Sequence, residues 1–338
     1  MSDALRALLH ALRQGLSAPA AAPAIFIRAE ADSALRELLP DLICEQTFKP
    51  ECDRLATLGC AVSRRAQGPC GTALCLLTKN KLENLANIAR AWSMLEPEGL
   101  LICSGANDTG AASTARRVRA AFGEFESLPK YHCRVFWTRR RPGPMPQSAA
   151  DWLAAGELHL VAETGYLSRP GIHGWNRIDE GSRLLAAHLP SDIAGRVADL
   201  GAGWGFLSIS LLARCPGITC LDLYDAEWLA LDAARANVGA RWPNASVAYH
   251  WHDVTRGLPA QRYDTVVMNP PFHSGKATDV ALGRAFIAAA AGALVPGGTL
   301  LMVANRHLPY EAVVDKHLAA RQAIAETAAF KVIRATAR

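Results

Sequence analysis

Val197-Ala198-Asp199-Leu200-Gly201-Ala202-Gly203-Trp204-Gly205-Phe206 reads as a buried strand that breaks into a glycine turn and then enters a helix. Glycine tolerates left-handed backbone angles, so the chain can turn tightly there and approach a ligand closely. The following helix, expected over Phe206 to Arg214, aims its unpaired N–H groups at the same spot. A dinucleotide fingerprint would carry glycines at G-x-G-x-x-G spacing. Here Phe206 stands at the third glycine position, Gly205 comes one residue early, and Asp199 precedes the turn by two positions. An acid there disfavours a pyrophosphate and favours a cationic ligand.

Downstream, strands and helices alternate. Ile218 to Tyr224 is expected as a strand, Glu227 to Ala240 as a helix and Ser246 to Trp251 as a strand. The strand Asp264 to Met268, the helix Val280 to Leu294 and the strand Thr299 to Val303 follow. Such alternation predicts an α/β fold with an open, largely parallel, doubly wound sheet. The amino-acid end of S-adenosylmethionine, with its ammonium and sulfonium, suits a loop of this charge, and Asp199, Gly201, Ala202 and Gly203 are the candidates to hold it. Asp225 closes the next strand, where a carboxylate can accept both ribose hydroxyls. Asp222 competes for that role, but three residues earlier it belongs inside the strand. Asp253 follows the third strand and either accepts from an adenine amino group, with Val254 covering the ring, or caps its own loop.

Asn269-Pro270-Pro271-Phe272 directly follows the apolar run Val266-Val267-Met268, where open α/β sheets place their active sites. Consecutive prolines stiffen the backbone and leave carbonyls without internal partners. An exocyclic amine is a poor nucleophile because its lone pair is delocalised into the ring. The Asn269 side-chain oxygen and the Pro270 carbonyl can accept its two N–H groups and favour a pyramidal nitrogen. Phe272 can stack on the base. Catalysis would then be alignment and preorganised dipoles, with no charged base. His273 either orients the base or is an exposed loop histidine.

The first half is organised differently. Ala24 to Ile27, Leu74 to Leu77 and Gly99 to Cys103 are apolar runs typical of strands buried on both faces, with a helix expected over Lys81 to Leu95. Arg139 to Pro146 carries three prolines and a glycine and reads as a linker. The expected division is therefore residues 1–141, a linker and the start of the second domain at 142–164, and a catalytic domain at 165–338. The two halves echo each other: strand, Lys79-Asn80-Lys81, helix and Glu96-Pro97-Glu98-Gly99 against strand, Asn-Pro-Pro-Phe, helix and Pro296-Gly297-Gly298. With no glycine turn after an acidic strand end, the first half reads as a duplicate that has lost its cofactor site.

Net charge is +5, and all of it lies in the first half: residues 1–150 hold 19 Lys and Arg against 14 Asp and Glu, residues 151–338 hold 17 of each. The runs Arg64-Arg65, Arg116-Arg117-Val118-Arg119 and Arg139-Arg140-Arg141 are either a polyanion-docking surface or solvated faces. Nine cysteines form no CxxC and join no histidine cluster, so no metal site is expected. Free thiols, no secretion signal and no membrane-length apolar run point to a cytoplasmic protein.

With these motifs assembled, the sequence resembles the bacterial 16S ribosomal RNA guanine-N2 methyltransferases of the C type, two-domain proteins with a "methyltransferase small" domain. Asn269 to His273 match that family's Asn-Pro-Pro-Phe-His catalytic loop, Asp199, Gly201 and Gly203 its glycine loop, and Asp225 its ribose acid. Tyr166-Leu167-Ser168-Arg169-Pro170-Gly171 looks like the segment that crosses the cofactor pocket; Lys79-Asn80-Lys81 matches a segment of the silent N-terminal domain. Ala304 to Tyr310 and Phe330 to Val332 resemble its C-terminal strands. The resemblance implies two Rossmann-like class I methyltransferase domains in tandem, the first degenerate, in a monomer that uses S-adenosylmethionine on ribosomal RNA or a ribosomal subunit. It places Asn269, Pro270, Pro271 and Phe272 at the reaction, Asn269 also beside the cofactor, and Phe272, His273 and Arg169 at the substrate. His173-Gly174-Trp175-Asn176 is an insertion relative to the family. Other readings are a large-subunit rRNA methyltransferase with the same loop, and a protein glutamine N5 methyltransferase, which usually has Tyr at the Phe272 position and a helical N-terminal domain. A non-enzymatic RNA-binding assembly factor with a vestigial pocket is the last.

Overall fold

The computed structural model describes residues 1–16, 23–260, 262–271, 273, 274, 277, 278 and 280–338. The chain divides into two compact units, one of residues 1–158 with Arg169–Gly171, the other of residues 159–168 and 172–338.

In the first unit the elements run α1 (Asp3–Arg13), β1 (Ala24–Ile27), α2 (Ala34–Leu38), β2 (Leu42–Glu45), α3 (Lys49–Thr57), β3 (Ala61–Ser63) and β4 (Cys70–Leu76). Then come α4 (Lys81–Met94), β5 (Leu95–Ala106), α5 (Ala111–Phe122), β6 (Glu126–Lys130), β7 (Cys133–Arg139) and α6 (Gln147–Ala155). Residues 142–158, expected as linker and start of the next domain, thus fall in this unit. The prolines end β7, but α6 then folds back, burying Ala149 and setting Trp152 edge-on to Phe122 with ring centres 6.1 Å apart.

The second unit holds β8 (His159–Val161), β9 (Tyr166–Ser168), α7 (Glu180–Ala187), β10 (Ala194–Leu200), α8 (Phe206–Arg214), β11 (Gly217–Asp225), α9 (Trp228–Arg241), β12 (Val247–Trp251) and β13 (Tyr263–Met268). It continues through β14 (His273–Ser274), β15 (Ala277–Thr278), α10 (Val280–Ala293), β16 (Leu294–Asn305), α11 (Glu311–His317), β17 (Ala320–Glu326) and β18 (Phe330–Thr336).

The main sheets have one topology. Their strand orders are β3-β2-β1-β4-β5-β7-β6 and β12-β11-β10-β13-β16-β18-β17, with all pairings parallel except the last two of each, where β7 and β18 run against the rest. The halves are therefore tandem copies of one doubly wound fold, as their sequence echo implied. Of the antiparallel end strands, only Phe330 to Val332 of β18 was expected, by the resemblance; β6, β7 and β17 lack the continuous apolar runs of strands buried on both faces.

Each sheet buries both faces. In the second unit Val197, Leu221, Leu223, Val267 and Leu301 line one face, against Leu207 and Leu211 of α8 and Leu231 of α9. Alternate residues Ala198, Leu200, Tyr224, Val266, Met268 and Leu300 line the other, against Phe286, Ile287 and Ala290 of α10. The chain leaves β10 toward β11 and β12, then returns to add β13 on β10's other side. The reversal opens a crevice at the carboxyl ends of β10 and β13.

Candidate active site

β10 and β13 are parallel neighbours with Leu200 opposite Met268. The next residues, Gly201 and Asn269, leave the sheet together. A Cβ built on Gly201 would stand 3.9 Å from the Asn269 backbone oxygen and 3.5 Å from the Phe286 ring. Gly201 and Gly203 have φ of +74° and +55°, left-handed angles that glycine adopts without strain. A Cβ on Gly203 would meet nothing within 4 Å, so the turn borders open space. Gly205 does different work: a Cβ there would lie 3.2 Å from that of Ala234, so it lets α8 pack closely on α9.

Asp199 is wholly buried under this turn. Its Oδ2 accepts a 2.7 Å hydrogen bond from Ser208 Oγ, while Oδ1 is buried with no hydrogen-bond partner. Burial pushes the carboxyl up to about 7; the Ser208 hydrogen bond opposes this and the neighbouring Asp225 charge adds to it. A buried carboxylate with an unmatched oxygen favours a cation within reach.

Asp225 closes β11 and organises the loop. Its Oδ2 accepts from Gly203 N at 2.8 Å and its Oδ1 from Glu227 N at 2.7 Å. Burial raises its carboxyl to about 6, against the lowering effect of those N–H groups. An ionised carboxylate has about four acceptor sites, so two N–H bonds leave capacity for hydroxyl donors. Asp222 is occupied elsewhere: within the strand it binds His250 Nε2 at 2.9 Å and pairs with Arg196 at 3.5 Å. Asp253 caps a single 3-10 turn, its Oδ1 accepting from Thr255 N at 3.0 Å and Thr255 Oγ1 at 2.6 Å, while Val254 is buried.

The approach segment rests on the glycine turn. Asn237 of α9 receives Leu167 N on its Oδ1 and donates Nδ2 to the carbonyls of Leu167 and Trp204, all at 2.8 to 3.0 Å. The Tyr166 ring lies 5.0 Å from that of Trp204. Trp204 Nε1 in turn donates to the Gly174 carbonyl at 3.2 Å, so the segment His173 to Asn176 braces the loop. Arg169 is buried and falls, with Pro170 and Gly171, in the first unit.

At the other loop, Asn269 is half-buried, Pro270 buried and Pro271 exposed. Asn269 Nδ2 donates to Asp179 Oδ1 at 2.7 Å and to Ser182 Oγ at 2.9 Å. Sequence reasoning missed both partners. Asp179-Glu180-Gly181-Ser182 ahead of an apolar run does signal a helix start, but nothing local says that this start meets residue 269. Phe272, expected to stack on the base, lies outside the described residues. His273 begins β14, paired with β15.

The first unit differs at the corresponding turn. Arg28 follows β1 as Gly201 follows β10, and it too is left-handed, with φ +56°. Its guanidinium donates to Glu83 Oε1 at 2.6 Å from Nε and to Thr47 Oγ1 at 2.8 Å from Nη1. Thr78 Oγ1 donates to Glu83 Oε2 at 2.7 Å. A largely buried Arg28–Glu83 ion pair thus stands after β1, where the second unit has a glycine turn.

A doubly wound sheet with an acid-led glycine turn beside an Asn-Pro-Pro loop defines an S-adenosylmethionine-dependent methyltransferase. The chain belongs to the methyltransferase small domain family, whose model matches residues 163–334. Among its relatives, "Ribosomal RNA small subunit methyltransferase C" of Shewanella pealeana is 31% identical over 243 residues, 70% of this chain and 69% of that protein. "Ribosomal RNA large subunit methyltransferase G" of Alcanivorax borkumensis is 36% identical over 166 residues, 48% of this chain and 42% of that protein. In fold, the chain resembles a T. thermophilus 16S rRNA N2 methyltransferase solved with AdoMet and guanosine, with TM-score 0.79 and 21% identity over 99% of this chain and 93% of that one. No helix among the described residues is long and apolar enough to cross a membrane.

Proposed function

We propose that this chain methylates the exocyclic N2 amine of a guanine in small-subunit ribosomal RNA, acting as a monomer on rRNA or a ribosomal subunit in the cytoplasm. One observation carries the reading: the turn after Asp199 and the loop beginning at Asn269 leave adjacent parallel strands side by side. Asp199 and the turn Gly201-Ala202-Gly203 face the amino-acid end of the donor, with the unmatched Asp199 oxygen toward its ammonium. Asp225 accepts from the ribose, and Asp253 with Val254 bounds the adenine.

S-adenosylmethionine, when bound, supplies the methyl group. The Asn269 Oδ1 and the Pro270 carbonyl accept the two hydrogens of the guanine amine and turn its lone pair out of conjugation. Asp179 and Ser182 hold the Asn269 amide before substrate arrives, so little reorganisation of this acceptor is needed as charge develops on nitrogen. Pro271 stiffens the loop, and Phe272 and His273 take the base by the resemblance. A base must leave its helix to reach such a crevice. Arg116, Arg117 and Arg119 are exposed on α5, and no ion pair involves them among the described residues. They are the candidate phosphate contacts of the first unit. Of the other basic runs, Arg65 pairs with Glu157, Arg141 pairs with Glu124, and Arg139 binds the Glu98 carbonyl.

The small-subunit reading draws support from extent: the small-subunit relative matches 70% of the chain, the large-subunit one 48%. An α/β first unit in place of a helical one speaks against glutamine as substrate. The open space beside Gly203 and the retained Asp199 speak against a vestigial site. The test is incubation of the protein with labelled S-adenosylmethionine and undermethylated ribosomal subunits, followed by nucleoside mass spectrometry. N2-methylguanosine in small-subunit RNA is expected; label confined to large-subunit RNA or to protein overturns the reading.

A further inference from the structure

We propose that Asp179 and Ser182, at the start of α7, are positioning residues that set which way the Asn269 carboxamide faces. The inference rests on the methyltransferase reading above and concerns how its loop is armed. A carboxylate can only accept hydrogen bonds. With Asp179 Oδ1 2.7 Å from the amide, Asn269 must present Nδ2 to it, which turns Oδ1 to the opposite side. Reversing the amide would set two acceptor oxygens against each other. Ser182 Oγ accepts the second Nδ2 hydrogen at 2.9 Å, so both donors of the amide are engaged.

The anchor is itself rigid. Asp179 Oδ1 also accepts from Ser182 N at 2.9 Å and caps α7, so one oxygen serves the helix end and the Asn269 amide together. Gly181 makes room between them: a Cβ there would stand 3.1 Å from Asp179 Oδ1 and 3.1 Å from the Phe330 ring. The tetrapeptide 179–182 thus supplies a cap, a clearance and two acceptors in a single turn. Its effect on the reaction is orientation, because an acceptor displaced by about 1 Å can cost on the order of 100-fold in rate.

Asp179→Asn, Asp179→Ser and Ser182→Ala test this. Serine also caps helices well, so Asp179→Ser preserves the helix start while withdrawing the carboxylate from Asn269. The readout is the single-turnover rate of total labelled methyl transfer to undermethylated subunits, with the S-adenosylmethionine Kd measured alongside. Asp179→Ser should lose about 10- to 100-fold in rate, Asp179→Asn less because its side-chain oxygen can still accept from Ser182 N and the Asn269 amide, and Ser182→Ala several-fold, with Kd and RNA KM within about twofold of wild type. A rate within twofold of wild type in Asp179→Ser, or rate and Kd failing together in all three, overturns the assignment. Total label scores positioning whatever nucleoside is modified, and nucleoside identity separately scores the substrate reading.

Discussion

The Asn269 backbone oxygen lies 3.9 Å from where a Cβ would stand on Gly201, although 68 residues separate the two in sequence. The contact arises from register: Leu200 and Met268 are opposed on parallel strands, and each loop begins at the next residue. The two loops are thus held by a continuous sheet.

Removing the acceptor should separate binding from chemistry. Asn269→Ala is expected to cut methyl transfer by at least about 100-fold, the scale for loss of one preorganised polar group. Calorimetry should find the S-adenosylmethionine Kd nearly unchanged; loss of both together would make Asn269 a cofactor residue only.

Asp199 makes a paired prediction on pH. Its folded pKa, about 7, lies above the ordinary 3.8, so the stability linked to this group is fully present below about pH 4 and is lost as pH rises through about 7. Asp199→Asn should therefore stabilise the cofactor-free protein at pH 8, by about 1–3 kcal/mol, and the gain should shrink toward pH 5. The same change should weaken S-adenosylmethionine. In the wild type, affinity should fall as pH drops from 8 toward 5.5, because protonation neutralises Asp199 and Asp225. Thermal melts and calorimetry across that range check both; a pH-independent Kd would remove the ammonium contact from Asp199.

Asp225 and Asp222 should separate cleanly. Asp225→Ala releases the Gly203 and Glu227 N–H groups as well as the ribose, so the cofactor Kd should rise at least about tenfold, roughly 1.4 kcal/mol. Asp222→Asn disturbs the contacts with His250 and Arg196 and should lower Tm with little change in Kd. The opposite pattern would move the ribose contact to Asp222.

Charge reversal of Arg116, Arg117 and Arg119 to Glu should weaken RNA binding and flatten its dependence on salt, by about 0.7 to 0.9 in log–log slope per lost phosphate contact. An unchanged slope in a filter-binding series would make the α5 face a solvated surface.

In the first unit, Arg28→Ala leaves Glu83 buried without its cation. Breaking such a pair costs about 3–5 kcal/mol, so denaturant melts should show a destabilised protein whose S-adenosylmethionine Kd is unaltered. A changed Kd would mean that Arg28 bears on the donor site.

Much of this architecture is readable from local sequence because it depends on local physics. Asp199-Leu200-Gly201-Ala202-Gly203 needs left-handed glycines wherever it occurs, and strands buried on both faces appear as apolar runs such as Thr265 to Met268. The helix Phe206–Arg214 is observed with its expected bounds. Internal duplication was legible in the same way, since both halves repeat one pattern of runs and turns.

Pairings between distant segments are another matter. Asp179 as a helix cap can be read from four residues, but its hold on Asn269 depends on α7 reaching a loop 90 residues further on. Arg28 looks like an ordinary basic residue until the fold sets it opposite Glu83. Backbone conformation answers to neighbours in the chain, so composition and spacing alone determined the buried parallel strands and the loops that follow them. Hydrogen bonds and ion pairs answer to neighbours in space, so only tertiary packing decided which way the Asn269 amide faces and that Arg28 pairs with Glu83.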